Sequence, residues 1–217
     1  MRIQPGVRNI LQRIPDGVRL LDLGCGNGEV AYTLAARGYR GQYVGLDSSE
    51  TLLMFAKKRL ERFANFRFLL ADLAQPNWNF NLPPEKYDYV FAFAVLHHIP
   101  GRGLRLKLLN SIRNYLPRNG KFIHSNWQFI NSERLRKRIQ PWEKVSIRDD
   151  ELDSGDYLLD WRHGGVGLRY VHLFDEKELA ALARDTGFQV IETFYSDGEG
   201  GNLGLYQVWQ LNQKQTD

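Results

Sequence analysis

The 217-residue chain predicts an α/β fold. It is a doubly wound sheet of seven strands, mostly parallel, with one antiparallel edge strand and a lid-like insert after the fifth strand. Three observations predict it. Short apolar strand patterns alternate with helical ones over residues 18–126. The run Tyr89-Val90-Phe91-Ala92-Phe93-Ala94-Val95 is apolar throughout, as a central strand buried on both faces requires. Two strand patterns then follow each other directly near the end, and strands joined by a short loop pair antiparallel.

Each element has a local reason. Over residues 5–14, Val7, Ile10, Leu11 and Ile14 share one helix face, and Pro15-Asp16-Gly17 stops that helix. Residues 18–23 form the first strand, and a helix opens at Glu29. Residues 43–46 form the second strand, ending on Asp47. Ser49 is the N-cap of a helix reaching about residue 63. Residues 66–70 form the third strand, closed by Asp72, and the proline-broken stretch 75–84 is loop. The fourth strand covers 87–95, a helix 102–115 and the fifth strand 121–126. A helix over 175–186 has Asp175 as N-cap and Glu178 three residues on. The last strands are 188–194 and 203–211, joined by the glycine-rich loop 196–201. One domain, 1–217, is expected, with the insert at about 128–174 as lid and substrate region.

The chain is organised around Leu20-Leu21-Asp22-Leu23-Gly24-Cys25-Gly26-Asn27-Gly28-Glu29. A strand feeds a glycine turn that feeds a helix, so bare backbone meets a ligand at a helix N-terminus, as in Rossmann-like sheets. The dinucleotide fingerprint spaces its third glycine three residues after the second. Here Gly28 follows Gly26 by two, and Asp22 precedes Gly24 by two. With Asp47-Ser48 at the next strand end, the run resembles the class I S-adenosylmethionine-dependent methyltransferases.

That resemblance implies S-adenosylmethionine as cofactor and assigns roles. Asp47 accepts from both ribose hydroxyls. Asp72 accepts from the adenine amino group while Leu73 donates from its backbone. Gly24 and Gly26 pass against the amino acid part of the cofactor. Asp22, Cys25, Ser48 and Ala94 complete the expected cofactor shell. These segments all fall at carboxyl ends of strands, where doubly wound sheets bind ligands.

Composition bounds the alternatives. No run of about 18 apolar residues exists, so no membrane span is expected. The N-terminal residues lack a secretory apolar region. Cys25 is the single cysteine, so no intrachain disulfide forms, which fits the expected cytoplasmic location. A small residue filling a crowded turn is the simplest reading of it. Five histidines without carboxylates at ligand spacing give no metal site. Between Arg102 and Arg148, twelve basic residues face only Glu133 and Glu143. A phosphate-binding face needs such an excess, and a solvated helix surface also shows it.

The second half carries a further resemblance. Asp160-Trp161, Arg169-Tyr170-Val171-His172-Leu173-Phe174, Glu178-Leu179 and residues 195–202 look like the methyltransferases that esterify the carboxymethyl group on the wobble uridine of tRNA. This chain has Val171, Lys177 and Leu203 where those enzymes have tyrosine, glycine and tryptophan. The resemblance implies Arg169, Tyr170 and His172 as catalytic residues, with Arg169 or another insert arginine pairing with the substrate carboxylate. His97, at the end of the central strand, is the candidate base. A carboxylate nucleophile is already deprotonated at neutral pH and needs none. His97 and His98 would then pack against the cofactor. The basic stretch 134–148 would take tRNA phosphates, and a small activator subunit is a further expected partner. Two alternatives stand beside this reading. One is a small-molecule O- or N-methyltransferase whose insert forms an apolar lid. The other is a non-catalytic cofactor-binding subunit of a larger assembly.

Overall fold

The computed structural model describes residues 3–161, 165 and 167–212. In chain order the first elements are α1 (Pro5–Gln12), β1 (Leu20–Leu23), α2 (Glu29–Ala36), β2 (Tyr43–Asp47), α3 (Glu50–Arg59), β3 (Phe66–Leu70), β4 (Tyr89–Phe93), α4 (Arg102–Arg113) and β5 (Lys121–Trp127). They are followed by α5 (Glu133–Arg136), β6 (Ile139–Gln140), β7 (Asp156–Trp161), β8 (Gly167–His172), α6 (Glu176–Asp185), β9 (Phe188–Ser196) and β10 (Gly204–Leu211).

Seven strands form one sheet in the order β3-β2-β1-β4-β5-β10-β9. The strand order reverses between β1 and β4, which both run parallel to each other and to their outer neighbours. That reversal opens a crevice at the carboxyl ends of β1 and β4. Period-two alternation sends Leu21, Val90, Ala92 and Phe122 to one face, where they meet Leu108, Ile112, Leu179 and Leu182. Leu20, Phe91 and Ile123 face the other side, against Ile10, Leu11, Ala31, Leu34 and Leu53.

The reversed strand differs from expectation in one respect. β10 is antiparallel to both β5 and β9, so it lies one place inside the edge. Burial explains the order. Residues from Gly204 to Trp209 are all buried, whereas β9 alternates and leaves Ile191 and Tyr195 exposed. The apolar strand takes the covered place, and the alternating one takes the edge.

The insert is more ordered than the sequence reading allowed. It holds a separate antiparallel sheet, β6-β7-β8, over its own small core of Phe129, Leu135, Leu159 and Val171. Pairing of Leu158 with Tyr170 and Leu159 with Arg169 sets its register. No helix among the described residues is long and apolar enough to cross a membrane.

Candidate active site

β1 runs straight into the glycine loop. Gly26 has φ +56°, and a Cβ placed there would meet no atom of the described residues within 4 Å. The loop is held by backbone and carboxylate. Cys25 N–H donates to Leu46 O at 2.8 Å, and Gly26 N–H donates to Asp47 Oδ2 at 2.8 Å. Gly28 serves packing instead: a Cβ there would stand 2.9 Å from that of Ala56 on α3. Cys25 is buried, and burial raises its thiol far above the usual range.

The three carboxylates singled out by sequence are dressed differently. Asp22 is 2% exposed. Tyr43 OH donates to its Oδ2. Burial pushes the Asp22 carboxyl up to about 7, Tyr43 pulls it down, and nearby Asp47 pushes it up again. Asp47 has both oxygens engaged, Oδ2 by Gly26 and Oδ1 by Ser49 N–H at 2.9 Å. Asp72 is exposed and accepts from Ala74 N–H and the Gln75 amide, as a turn residue does. A fourth carboxylate, Asp197 of the glycine-rich loop, also lines the crevice.

A cavity of about 570 Å³ lies at the crevice. Asp22, Gly24, Cys25, Ala94, His97 and Arg169 line it, as do His98, Asn126, Trp127 and Trp161. Gly26, Asp47, Ser48, Asp72 and Leu73 sit at or beside the same strand ends but do not line it. Ala94, just past β4, has φ +56°, rare for a residue with a Cβ. Its N–H is held by both the backbone and side-chain oxygens of Ser125, each at 3.1 Å.

The histidines are distinguished by their partners. His97 is buried, and its Nδ1 accepts from Trp127 N–H at 3.3 Å, which assigns the proton to Nε2. Burial lowers its pKa well below the usual range, and neighbouring His98 adds to that. His98 Nδ1 faces Tyr170 O at 3.1 Å. A carbonyl only accepts, so that nitrogen donates and Nε2 keeps the lone pair. Burial lowers this pKa too. His124 lies beneath, accepting from Asn126 Nδ2, and burial takes it to about 3.

Arg169 lies 3.9 Å over the Trp161 ring, a cation–π contact that presents the guanidinium to the cavity wall. Tyr170 and His172 are drawn elsewhere, which corrects their expected place at the substrate. Tyr170 OH donates to Asp156 Oδ1 at 2.6 Å. His172 is fully buried, with Nδ1 2.5 Å from the same oxygen and Nε2 2.9 Å from Glu178 Oε2. Neither side chain lines the cavity. Tyr170 reaches the site only through the carbonyl that orients His98.

Two residues escaped the sequence reading. Asn126 lies one step past the Phe93–Ser125 pairing, level with Ala94. Its Oδ1 is buried beside His97, with no other hydrogen-bond partner among the described residues. The strand-end rule that picked out Asp47 applies equally to it. Asp197 enters from the β9–β10 loop, and no local pattern marks it. The basic stretch is partly neutralised: Lys137 pairs with Glu133 at 2.8 Å, and Arg148 with Asp150 and Glu151. Arg134, Arg136 and Arg138 form no ion pair among the described residues.

The geometry can be set beside known proteins. The chain is 36% identical over 114 residues to trans-aconitate 2-methyltransferase of Acidovorax ebreus, covering 51% of this chain and 41% of that protein. The chain therefore spans well under half the length of this relative. It is 21% identical over 206 residues to tRNA (carboxymethyluridine(34)-5-O)-methyltransferase of Schizosaccharomyces pombe, covering 88% of this chain and 82% of that one. A S-adenosylmethionine-dependent methyltransferase from Methanosarcina mazei superposes with a TM-score of 0.71 at 19% identity, over 98% and 99% of the two chains. The glycopeptide N-methyltransferase MtfA in complex with S-adenosylhomocysteine gives 0.69 at 19%, over 97% and 90%. Both structures share the fold. The profile of the methyltransferase-domain family matches residues 2–193. The chain belongs to that methyltransferase-domain family, with the fold of these two methyltransferases.

Proposed function

We propose that this methyltransferase esterifies a carboxylate, and that the acceptor is the carboxymethyl group of a tRNA wobble uridine. One observation carries the acceptor chemistry. Among the described residues lining the cavity, Arg169 is the one lysine or arginine, and it stands on Trp161. A guanidinium offers paired donors to a carboxylate. Trp127 and Trp161 supply flat apolar walls of the kind that receive a looped-out base. The alignment with the tRNA methyltransferase, which runs over most of both chains, favours RNA.

The strand ends fit the cofactor. Gly26 leaves open space where a side chain would stand. Among the described residues, Asn126 Oδ1 is buried with no partner beyond the neighbouring His97, and Asp22 is a buried carboxyl that accepts from a phenol. Gly24, Gly26, Cys25, Asp22 and Ala94 would hold the methionine part. Asp47 and Ser48 would hold the ribose, and Asp72 and Leu73 the adenine. Bound S-adenosylmethionine supplies a methyl group already activated on a sulfonium. The chain's task is then alignment, which contributes about 7–11 kcal/mol where the geometry is right. Arg169 orients the carboxylate. His97 offers an N–H, and His98 a lone pair held neutral by burial, so neither competes with Arg169 for the anion.

A second reading, a small carboxylic acid as acceptor, is favoured by the trans-aconitate relative and by the ion pairs that neutralise Lys137 and Arg148. One experiment separates them: transfer of labelled methyl into total tRNA, then nucleoside digestion. The expected result is label in one uridine derivative, released by base as an ester is, and lost in Arg169→Met. Label absent from tRNA but present on a di- or tricarboxylic acid would move the assignment to the second reading.

A further inference from the structure

α1 is outside the glycine-loop motif, yet Ile3, Gln4 and Val7 line the cavity. Its first turn has no cap of its own. Gln4 makes no side-chain cap bond, and the first turn holds no acid. The first amides of a helix lack intrahelical partners. Here the missing acceptor comes from the far end of the chain. Asp197 Oδ1 accepts from Gly6 N–H at 2.9 Å, and its Oδ2 accepts from Tyr206 OH at 2.5 Å. Tyr206 closes the contact from below: a Cβ on Gly6 would stand 2.5 Å from its ring. Asp197 has φ +73°, in the left-handed region, and lines the cavity together with Gly198 and Tyr206.

The other end of α1 is tied independently. Just past the helix, Arg13 forms a two-pronged pair with Glu192 on β9, at 2.8 and 2.6 Å. Arg37 donates to Leu11 O. With Ile10 and Leu11 buried in the core and Arg13 paired beyond them, the first turn, tied by one carboxylate, can open while the rest of the helix holds.

We propose that Asp197 is the latch of α1, a positioning residue that holds the first turn over the cavity and sets how fast the cofactor leaves. This rests on the reading that the cavity holds S-adenosylmethionine. The carboxylate, rather than the loop conformation, does the holding. Asp197→Gly keeps a backbone suited to positive φ and removes both acceptor oxygens. Asp197→Asn tolerates the same φ, accepts from Gly6 through Oδ1 and donates to Tyr206 through its amide.

The test is hydrogen–deuterium exchange of the full chain, without ligand and with S-adenosylhomocysteine, alongside stopped-flow dissociation of that product. In the ligand-free Asp197→Gly protein, amide exchange over 6–8 should rise at least tenfold while the β1 and β4 amides stay protected. S-adenosylhomocysteine should leave at least fivefold faster, and Asp197→Asn should match the parent in both. Tyr206→Phe, which removes one of the two bonds, should show a smaller change in the same direction and carries the test if the glycine variant does not fold. Unchanged exchange at α1 in both variants would overturn the latch. Faster exchange with unchanged product dissociation would overturn its control of cofactor release. Failure of S-adenosylhomocysteine to bind the parent protein would instead sink the cavity assignment, leaving the ligand-free exchange to decide the latch.

Discussion

Two buried carboxylates, Asp22 under the glycine loop and Asp156 under the insert, sit in opposite circumstances. Asp156 Oδ1 receives Tyr170 OH and His172 Nδ1, and its Oδ2 receives Asp153 N–H at 3.0 Å. His172 in turn meets Glu178. Every atom of that knot has a partner, and it joins β7, β8 and α6. Asp22 has one phenol, a neighbouring carboxylate at Asp47 and a cavity in front of it. Burying polar groups costs free energy unless they are paired. A satisfied cluster therefore belongs to the scaffold, and an under-satisfied one marks where a ligand completes it.

The largest effect should come from the satisfied cluster. His172→Ala leaves Asp156 and Glu178 facing each other across a hole, and removing one partner of a buried pair costs about 3–5 kcal/mol. At about 2–4 °C per kcal/mol for a chain of this size, Tm should fall by about 10 °C. Thermal unfolding measures it, with S-adenosylhomocysteine affinity of the folded fraction unchanged. A variant that keeps its Tm and loses turnover would return His172 to the chemistry and break the comparison.

Asp47 lies between the two cases, because both its oxygens are already engaged by Gly26 and Ser49. An ionised carboxylate has about four acceptor directions, so ribose hydroxyls can still be received. Asp47→Ala removes the acceptors and loosens the loop at Gly26. The expected cost is about 1.5–3 kcal/mol in cofactor binding, a tenfold or greater loss of affinity by calorimetry. Unchanged affinity would place Asp47 with the scaffold, as a staple for the loop alone.

The two regions were also unequally legible. The main sheet announced itself, because strands buried on both faces read as continuous apolar runs, and ligands gather at their carboxyl ends. That rule put Asp22, Gly24, Ala94 and Asp47 in one neighbourhood. Asn126, the last residue of the fifth strand pattern, obeys the same rule but is an amide with no charge to draw notice. The place of β10 depends on which of two adjacent strands is better covered, a property of the assembled sheet. In the insert, β6 is two residues long, and its pairing with Leu158 and Leu159 crosses about eighteen residues that carry no strand period. His172 was misplaced for a chemical reason. A histidine beside carboxylates has the same composition whether it moves protons or ties elements together, and only its full set of partners separates the two. Asp197 was invisible because its partner, Gly6, is 191 residues away.

The pH dependence set by Asp22 is the most diagnostic of the contrast. Asp22 keeps a pKa of about 7 in the folded protein, against about 4 in an unfolded chain. Between those values the folded state binds more protons than the unfolded one, so stability falls as pH rises from about 4 to 7 and the full penalty stands above 7. Between pH 5 and pH 8 this one carboxyl should cost the ligand-free protein about 2–3 kcal/mol, at about 1.4 kcal/mol per pKa unit. Asp22→Asn keeps an acceptor for Tyr43 OH and cannot ionise. Its stability relative to the parent should therefore grow by about 2 kcal/mol from pH 5 to pH 8 in denaturant melts, while its cofactor affinity falls. Parallel pH profiles for the two proteins would mean that Asp22 is already satisfied without a ligand. The two carboxylates would then be alike, and the glycine loop would lose its claim to a site that waits for a cation.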